Sequence, residues 1–286
     1  MTFVLKDYSL KHLGVLWGTF VVRVKILSRY KGSLILDIII PTLFASIPIL
    51  LGQAFAGSIA AASTNFQENT GLRANYVVWI IIGANVFGTV MESLWMFGLF
   101  VRREQMLGTL EAIVQTPAHK LSILGGLALY VEVKSVFTFI LGYLLGCILF
   151  NIDPLQGNIL LALILLLIGL VPIFGLSFLL GALIMKVKQA NSLVNTLQWL
   201  VGILMGVFFP ITVLPVFLQV FALIFPGFYL NYDIQAALTG LNWFLGNLYL
   251  DLSVIFLFAL MCPFIGYQIF TKTEYRIKKA EGIGQF

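Results

Sequence analysis

The sequence predicts an all-α polytopic membrane protein folded as one domain over residues 1–286. The expected parts are six transmembrane helices, an amphipathic interface helix before them, a polar cytoplasmic helix between spans two and three, and re-entrant helices on the outer side. Three observations predict this. Hydrophobic residues make up 60% of the chain and charged residues 10%, at a mean hydropathy of +1.02, whereas soluble domains carry about a quarter charged residues. The apolar residues gather into runs near the roughly 20 residues needed to cross hydrocarbon. The cations fall in alternate connections, as the positive-inside bias requires. The net charge of +5 therefore reports topology, and nucleic acid is not an expected partner.

Residues 10–32 form the interface helix. Leu13, Leu16, Trp17, Phe20, Val24 and Leu27 recur at helical spacing, with Lys11, Lys25 and Arg29 opposite and Val15 and Val22 interrupting the pattern. Such a helix lies at the cytoplasmic surface with its cations among lipid headgroups; a plain anchoring role is the alternative. The spans follow at about 34–54, 76–100, 121–150, 158–185, 192–209 and 248–270. With the N-terminus cytoplasmic, 15 of the 17 Lys and Arg residues fall inside, Arg73 outside, and Lys134 within a span. A further apolar stretch, 211–229, is interrupted by Pro215 and Pro226. A seventh crossing there would carry the basic tail, 272–286, to the outside. Region 208–246 is therefore expected to dip in from outside and return, which is tolerated only where backbone is buried in protein or lines a wet cavity. A cysteine placed at position 73 is expected to react with an impermeant maleimide on sealed cells, while cysteines at 120 and 278 stay unlabelled. Labelling at 278 would overturn this topology.

Between spans two and three the chain carries a polar, helix-capable insert, 103–118, on the side bearing the positive charge. A mere connection would need only a few residues, so the insert suggests a docking surface for another protein. Catalytic equipment is not legible: Gly-Lys occurs nowhere, which excludes a Walker A loop, and neither His-Glu-x-x-His nor Gly-x-Ser-x-Gly is present. His12 and His119 read as surface residues, and Cys147 and Cys262 sit in apolar runs without metal-like spacing. No catalytic residue, metal or cofactor of its own is expected, so work must come from an ion gradient or a partner.

Within span two, Ala84/Asn85, Gly88/Thr89 and Glu92/Ser93 repeat every four residues and share one helix face. The stripe reads either as a close helix contact or as the wall of a wet pathway. Glu92, Glu132 and Lys134 lie at comparable depth, where ionisable groups pair or face water. Glu132 and Lys134 diverge by about 200° on their helix, so the expected pair is Glu92 with Lys134, structural or in the transport path. Asp37 and Asp251 are placed near span ends, within reach of the interface.

The run Arg103-Glu-Gln-Met-Leu-Gly-Thr-Leu-Glu-Ala-Ile-Val-Gln-Thr-Pro117 resembles the signature of type-2 ABC exporter permeases, in which Gly-Thr-Leu-Glu is followed by apolar residues and Thr-Pro. Met106-Leu107 stands where many members carry a more charged lead. A second run, Phe208-Phe-Pro-Ile-Thr-Val-Leu-Pro215 followed by Pro226-Gly-Phe-Tyr229, is similar to that family's pattern after its fifth span. The resemblance covers nearly the whole chain. It implies a membrane-embedded half-transporter, of prokaryotic plasma-membrane type with both termini cytoplasmic, that pairs with a second permease copy or paralogue. Separate ATPase subunits would carry the ATP and Mg. The insert would be the coupling helix, meeting the ATPase through Arg103, Glu104, Gly108, Thr109, Leu110, Glu111, Thr116 and Pro117. The re-entrant region would be an outer gate built on Phe208, Phe209, Pro210, Pro215 and Pro226, and the substrate a drug, lipid or glycan-type amphiphile. Membrane lipids are the surrounding partner. The alternatives are a gradient-driven carrier or channel using intramembrane Glu92, Glu132 and Lys134, and a scaffold without transport; Asn85 and Thr89 join these three as candidate pathway or ion-pair residues.

Overall fold

A computed structural model describes residues 2–108, 116, 119–155, 157–185, 187 and 190–281. Every regular element among them is helical. Helix α1 (Thr2–Arg29) breaks at Tyr30 into α2 (Lys31–Ala56). Gly57, in the left-handed conformation at φ 81°, ends α2, and Ser58 opens α3 (Ile59–Thr70) by accepting a bond from the Ala61 amide at 3.1 Å. This short polar helix was not anticipated; the Gly-Ser pair that separates it from the span is its sequence mark. Asn75 caps α4 (Tyr76–Gly98), which continues past Leu99 as the short α5 (Phe100–Met106). Helices α6 (Lys120–Leu149) and α7 (Ile159–Ile184) are long and apolar. Then come α8 (Ala190–Leu204), a 3-10 turn at Ile211–Val213, α9 (Val216–Ile224), α10 (Pro226–Thr239) and α11 (Leu248–Glu281).

Among the described residues, α2, α4, α6, α7 and α11 are long and apolar enough to cross a membrane; counting α9 and α10, bent by 89°, as one broken span makes six. These are the elements of an integral membrane protein. The expected span at 192–209 is not one continuous helix. Helix α8 stops at Leu204, about 22 Å long by its rise and short of the ~30 Å of hydrocarbon. The chain turns at Gly206, φ 67°, and runs against α4 at Gly83, where any side chain would strike the Val207 backbone. The amide of Asn231, on α10, holds the freed carbonyls of Met205 and Gly206 at 2.9 and 3.4 Å, so the break is satisfied inside the protein. Pro215 and Pro226 do not interrupt a helix: Pro215 precedes α9 and Pro226 is the first residue of α10, the position where a missing amide costs nothing.

Helix α4 is the centre of the core. Its Trp79, Ile80, Ile81 and Ile82 are buried against Leu127 and Phe139 of α6, Leu165 and Leu170 of α7, and Leu230 and Ile234 of α10. Small residues set the closest approaches, as expected where lipid offers no competing hydrophobic drive. Gly175 of α7 abuts the backbone at Cys262 and Pro263 of α11, and Gly266 abuts the Gly175 carbonyl. In contrast, α2 and α11 turn large apolar side chains outward, among them Leu43, Ile47, Phe256 and Leu260.

In helix α1, Leu16 and Thr19 pack on Gly125 and Gly126 of α6, while Leu13, Trp17 and Val24 are exposed. The pair of glycines gives α1 a flat seat that the amphipathic pattern alone does not reveal. At the other end α11 remains helical to Glu281, and buried Glu274 holds Lys120 Nζ at 2.7 Å, so the basic tail through that point is structured.

Candidate functional site

A cavity of about 640 Å³ opens among α2, α4 and α6, with single contributions from α5 and α8. The stripe on α4 forms its wall: Ala84, Asn85, Gly88, Thr89 and Glu92 all line it. Asn85 donates back to the Ile81 carbonyl and Thr89 to that of Val86, each at 2.8 Å. Each thus spends a donor on its own helix. Gly88 lets Pro41 of α2 approach to 3.0 Å of where a Cβ would stand. Ser93 leaves the stripe and faces α7, where Ser177 donates to its carbonyl at 3.3 Å. The stripe thus divides: Asn85, Thr89 and Glu92 line the cavity, and Ser93 contacts α7.

At the polar end of the cavity Lys134 Nζ lies 2.5 Å from Glu92 Oε1 and 2.6 Å from Asp37 Oδ2. The lysine side chain is 8% exposed, Glu92 16% and Asp37 40%. The site is thus a triad, and Asp37 is the member that sequence reasoning assigned to the interface. A signal for it existed. Asp37 lies six residues after the start of α2 and Glu92 six before the end of α4, so depth counting places them level. Glu132 is not part of this cluster: it does not line the cavity, and its Oε2 is buried without a hydrogen-bond partner among the described residues.

A second ionic cluster sits one step along. Arg23 of α1 donates to Glu104 Oε1 at 2.9 Å, and Arg103 Nη1 reaches back to Met96 Sδ at 3.3 Å while lining the cavity. Burial first, and then the neighbouring Arg23, lower the pKa of Arg103, with Glu104 and Tyr130 opposing; a guanidinium stays charged regardless. Tyr130 of α6 interacts electrostatically with Lys134, Glu92 and Asp37 and also with Arg23 and Arg103, so the clusters are neighbours. Arg23 and Tyr130 were not singled out from sequence.

These contacts change the expected docking surface. Arg103 and Glu104 turn inward, Glu104 being buried, because Arg23 draws the carboxylate under α1. Helix α5 ends at Met106, and Gly108, exposed at φ 68°, breaks the run. The helix expected over 103–118 is therefore not continuous through Gly108. Thr116 is exposed; Thr109, Leu110, Glu111 and Pro117 lie outside the described residues.

The segment read as an outer gate meets the apolar end of the cavity. The Phe208 ring packs edge-on to Phe44 at 5.2 Å, and Phe44 stacks on Phe87 at 6.4 Å; both Phe44 and Phe87 line the cavity. Phe209 is partly buried and Pro210 buried. Beyond it, Asp251 does not reach the interface: it is fully buried, accepting from the Leu245 amide at 3.1 Å. Among the described residues no three His, Cys, Asp or Glu side chains gather as metal ligands would.

Comparison with protein families and with curated proteins yields no match.

Proposed function

We propose that the chain is the permease subunit of an ATP-driven exporter that moves an amphiphile outward through the cavity among α2, α4 and α6. The observation that carries this reading is Arg103. It lines the cavity and lies in α5, the helix that leads into the polar insert. A push on the insert by a docked ATPase would reach the wall of the substrate site within a few residues, the kind of rigid shift that alternating-access devices use. The signature in residues 103–117 and the Pro-rich 208–229 run support the same reading. In it a second permease copy completes the channel, both termini are cytoplasmic, and the 208–246 region, with Phe208 against Phe44, is the outer gate.

The test is reconstitution of the chain with a candidate ATPase in inside-out vesicles. Uptake should require ATP and survive collapse of the ion gradients by ionophores. Uptake abolished by ionophores and indifferent to ATP would establish the second reading, a gradient-driven carrier, which the Asp37–Glu92–Lys134 triad at membrane depth favours. Glu111→Arg, in the insert, is expected to lower ATPase association at least about tenfold, the scale of one lost charge-assisted contact, with unchanged melting of the permease alone. Normal association would remove the insert from the docking surface.

A further inference from the structure

We propose that the cavity binds an amphiphile with a zwitterionic headgroup, its cationic part at Asp37 and Glu92 and its anionic part, a phosphate or carboxylate, at Arg103. This rests on the reading of the cavity as the substrate site and names the class of substrate.

The argument is one of charge and spacing. In the triad two carboxylates surround one ammonium, leaving one surplus negative charge. All three line the cavity, but Lys134 is the most buried and Asp37 the most exposed; the most accessible charge of the triad is an acid. In the neighbouring cluster two guanidiniums, Arg23 and Arg103, surround the Glu104 carboxylate. Arg23 is bonded to that carboxylate, and Arg103 is the cation that lines the cavity. Its guanidinium reaches Met96, four residues from Glu92 on the same helix and on the same cavity wall. That is about 6 Å of rise, the scale of a headgroup whose cation and anion are a few bonds apart. A purely anionic head would meet the surplus acid of the triad, and a purely cationic one would meet the surplus guanidinium charge of the Arg23, Arg103 and Glu104 cluster. Phe44, Phe87, Met91 and Trp95 form the rest of the wall and suit an aliphatic chain; their aromatic faces also favour an alkylammonium.

The test uses the purified chain in a non-ionic maltoside detergent and reads quenching of Trp95, which lines the cavity, by single-chain amphiphiles with brominated tails. Three heads are compared: phosphocholine, trimethylammonium and phosphate monoester. The Trp95→Phe variant identifies the site's share of the signal. The phosphocholine amphiphile is expected to bind about tenfold more tightly than either singly charged one. Asp37→Asn should weaken the phosphocholine and trimethylammonium probes and spare the phosphate probe; Arg103→Gln should weaken the phosphocholine and phosphate probes and spare the trimethylammonium one. Free phosphocholine, without a tail, should compete at least about tenfold more weakly; equal competition would mean that the site takes a soluble zwitterion and not an amphiphile. Equal affinity for all three heads in the unmodified chain overturns the proposal whether or not the variants fold, as do variants that weaken all heads alike. The measurement needs no ATPase, so a failure of ATP-driven transport leaves it standing, and a failure here leaves the exporter reading to its own test.

Discussion

Lys134→Met is expected to destabilise the protein by about 3–5 kcal/mol, the cost of breaking a buried ion pair from one side. The substitution keeps the volume and removes the ammonium that lies 2.5 Å from Glu92 and 2.6 Å from Asp37. Two carboxylates would then face each other beside a largely apolar wall. Glu92→Gln alone should cost less, since Lys134 keeps Asp37. The triple variant Asp37→Asn/Glu92→Gln/Lys134→Met should recover most of the loss, because replacing all members of a buried network leaves no uncompensated charge. Thermal unfolding in detergent across the full set of single and multiple variants measures the coupling. Destabilisation in the triple equal to the sum of the singles would show that the three groups do not act together.

Gly175→Val is expected to cost about 3 kcal/mol or more, at the upper end of overpacking effects, because what it strikes is backbone. A Cβ at 175 would fall against the Cys262 carbonyl carbon and the Pro263 nitrogen, and neither can rotate aside as a side chain could. The α7–α11 contact would have to open along its length. Gly14→Ala is the control: nothing lies within 4 Å of its added Cβ, so it should be neutral or stabilising by up to about 1 kcal/mol, the helix-propensity difference. Yield of monodisperse protein and its melting temperature read both. Equal tolerance at positions 175 and 14 would mean that α7 and α11 do not touch here.

Much of this architecture is legible in the sequence because a bilayer restricts the menu to helices and writes their length into apolar runs. The spans at α2, α4, α6, α7 and α11 follow from length alone. The Glu92–Lys134 contact follows from depth and helical phase. What is not legible depends on neighbours. Helix α8 has span-like composition but stops at Leu204 because Gly206 turns the chain and Asn231, far along the sequence, satisfies the freed carbonyls. Arg103 and Glu104 read as a charged outer surface, yet Arg23 draws Glu104 inward. Asp37 looks like an interfacial acid until the register of α2 against α6 is known. In each case the deciding residue lies on another helix, and a pattern within one segment cannot report it.

The two ends of the polar insert are held by the first and last helices, Glu104 by Arg23 and Lys120 by Glu274. Synthesis proceeds from the N-terminus, and earlier elements settle first. The Arg23–Glu104 tie can form as soon as α5 is made, but Lys120 waits for residue 274, as the Gly175 surface waits for Gly266. A ribosome that stops early therefore leaves α7 and one end of the insert without their last partners, and only a nearly finished chain can clamp the insert at both ends. Half-made copies thus hold the insert by one end alone.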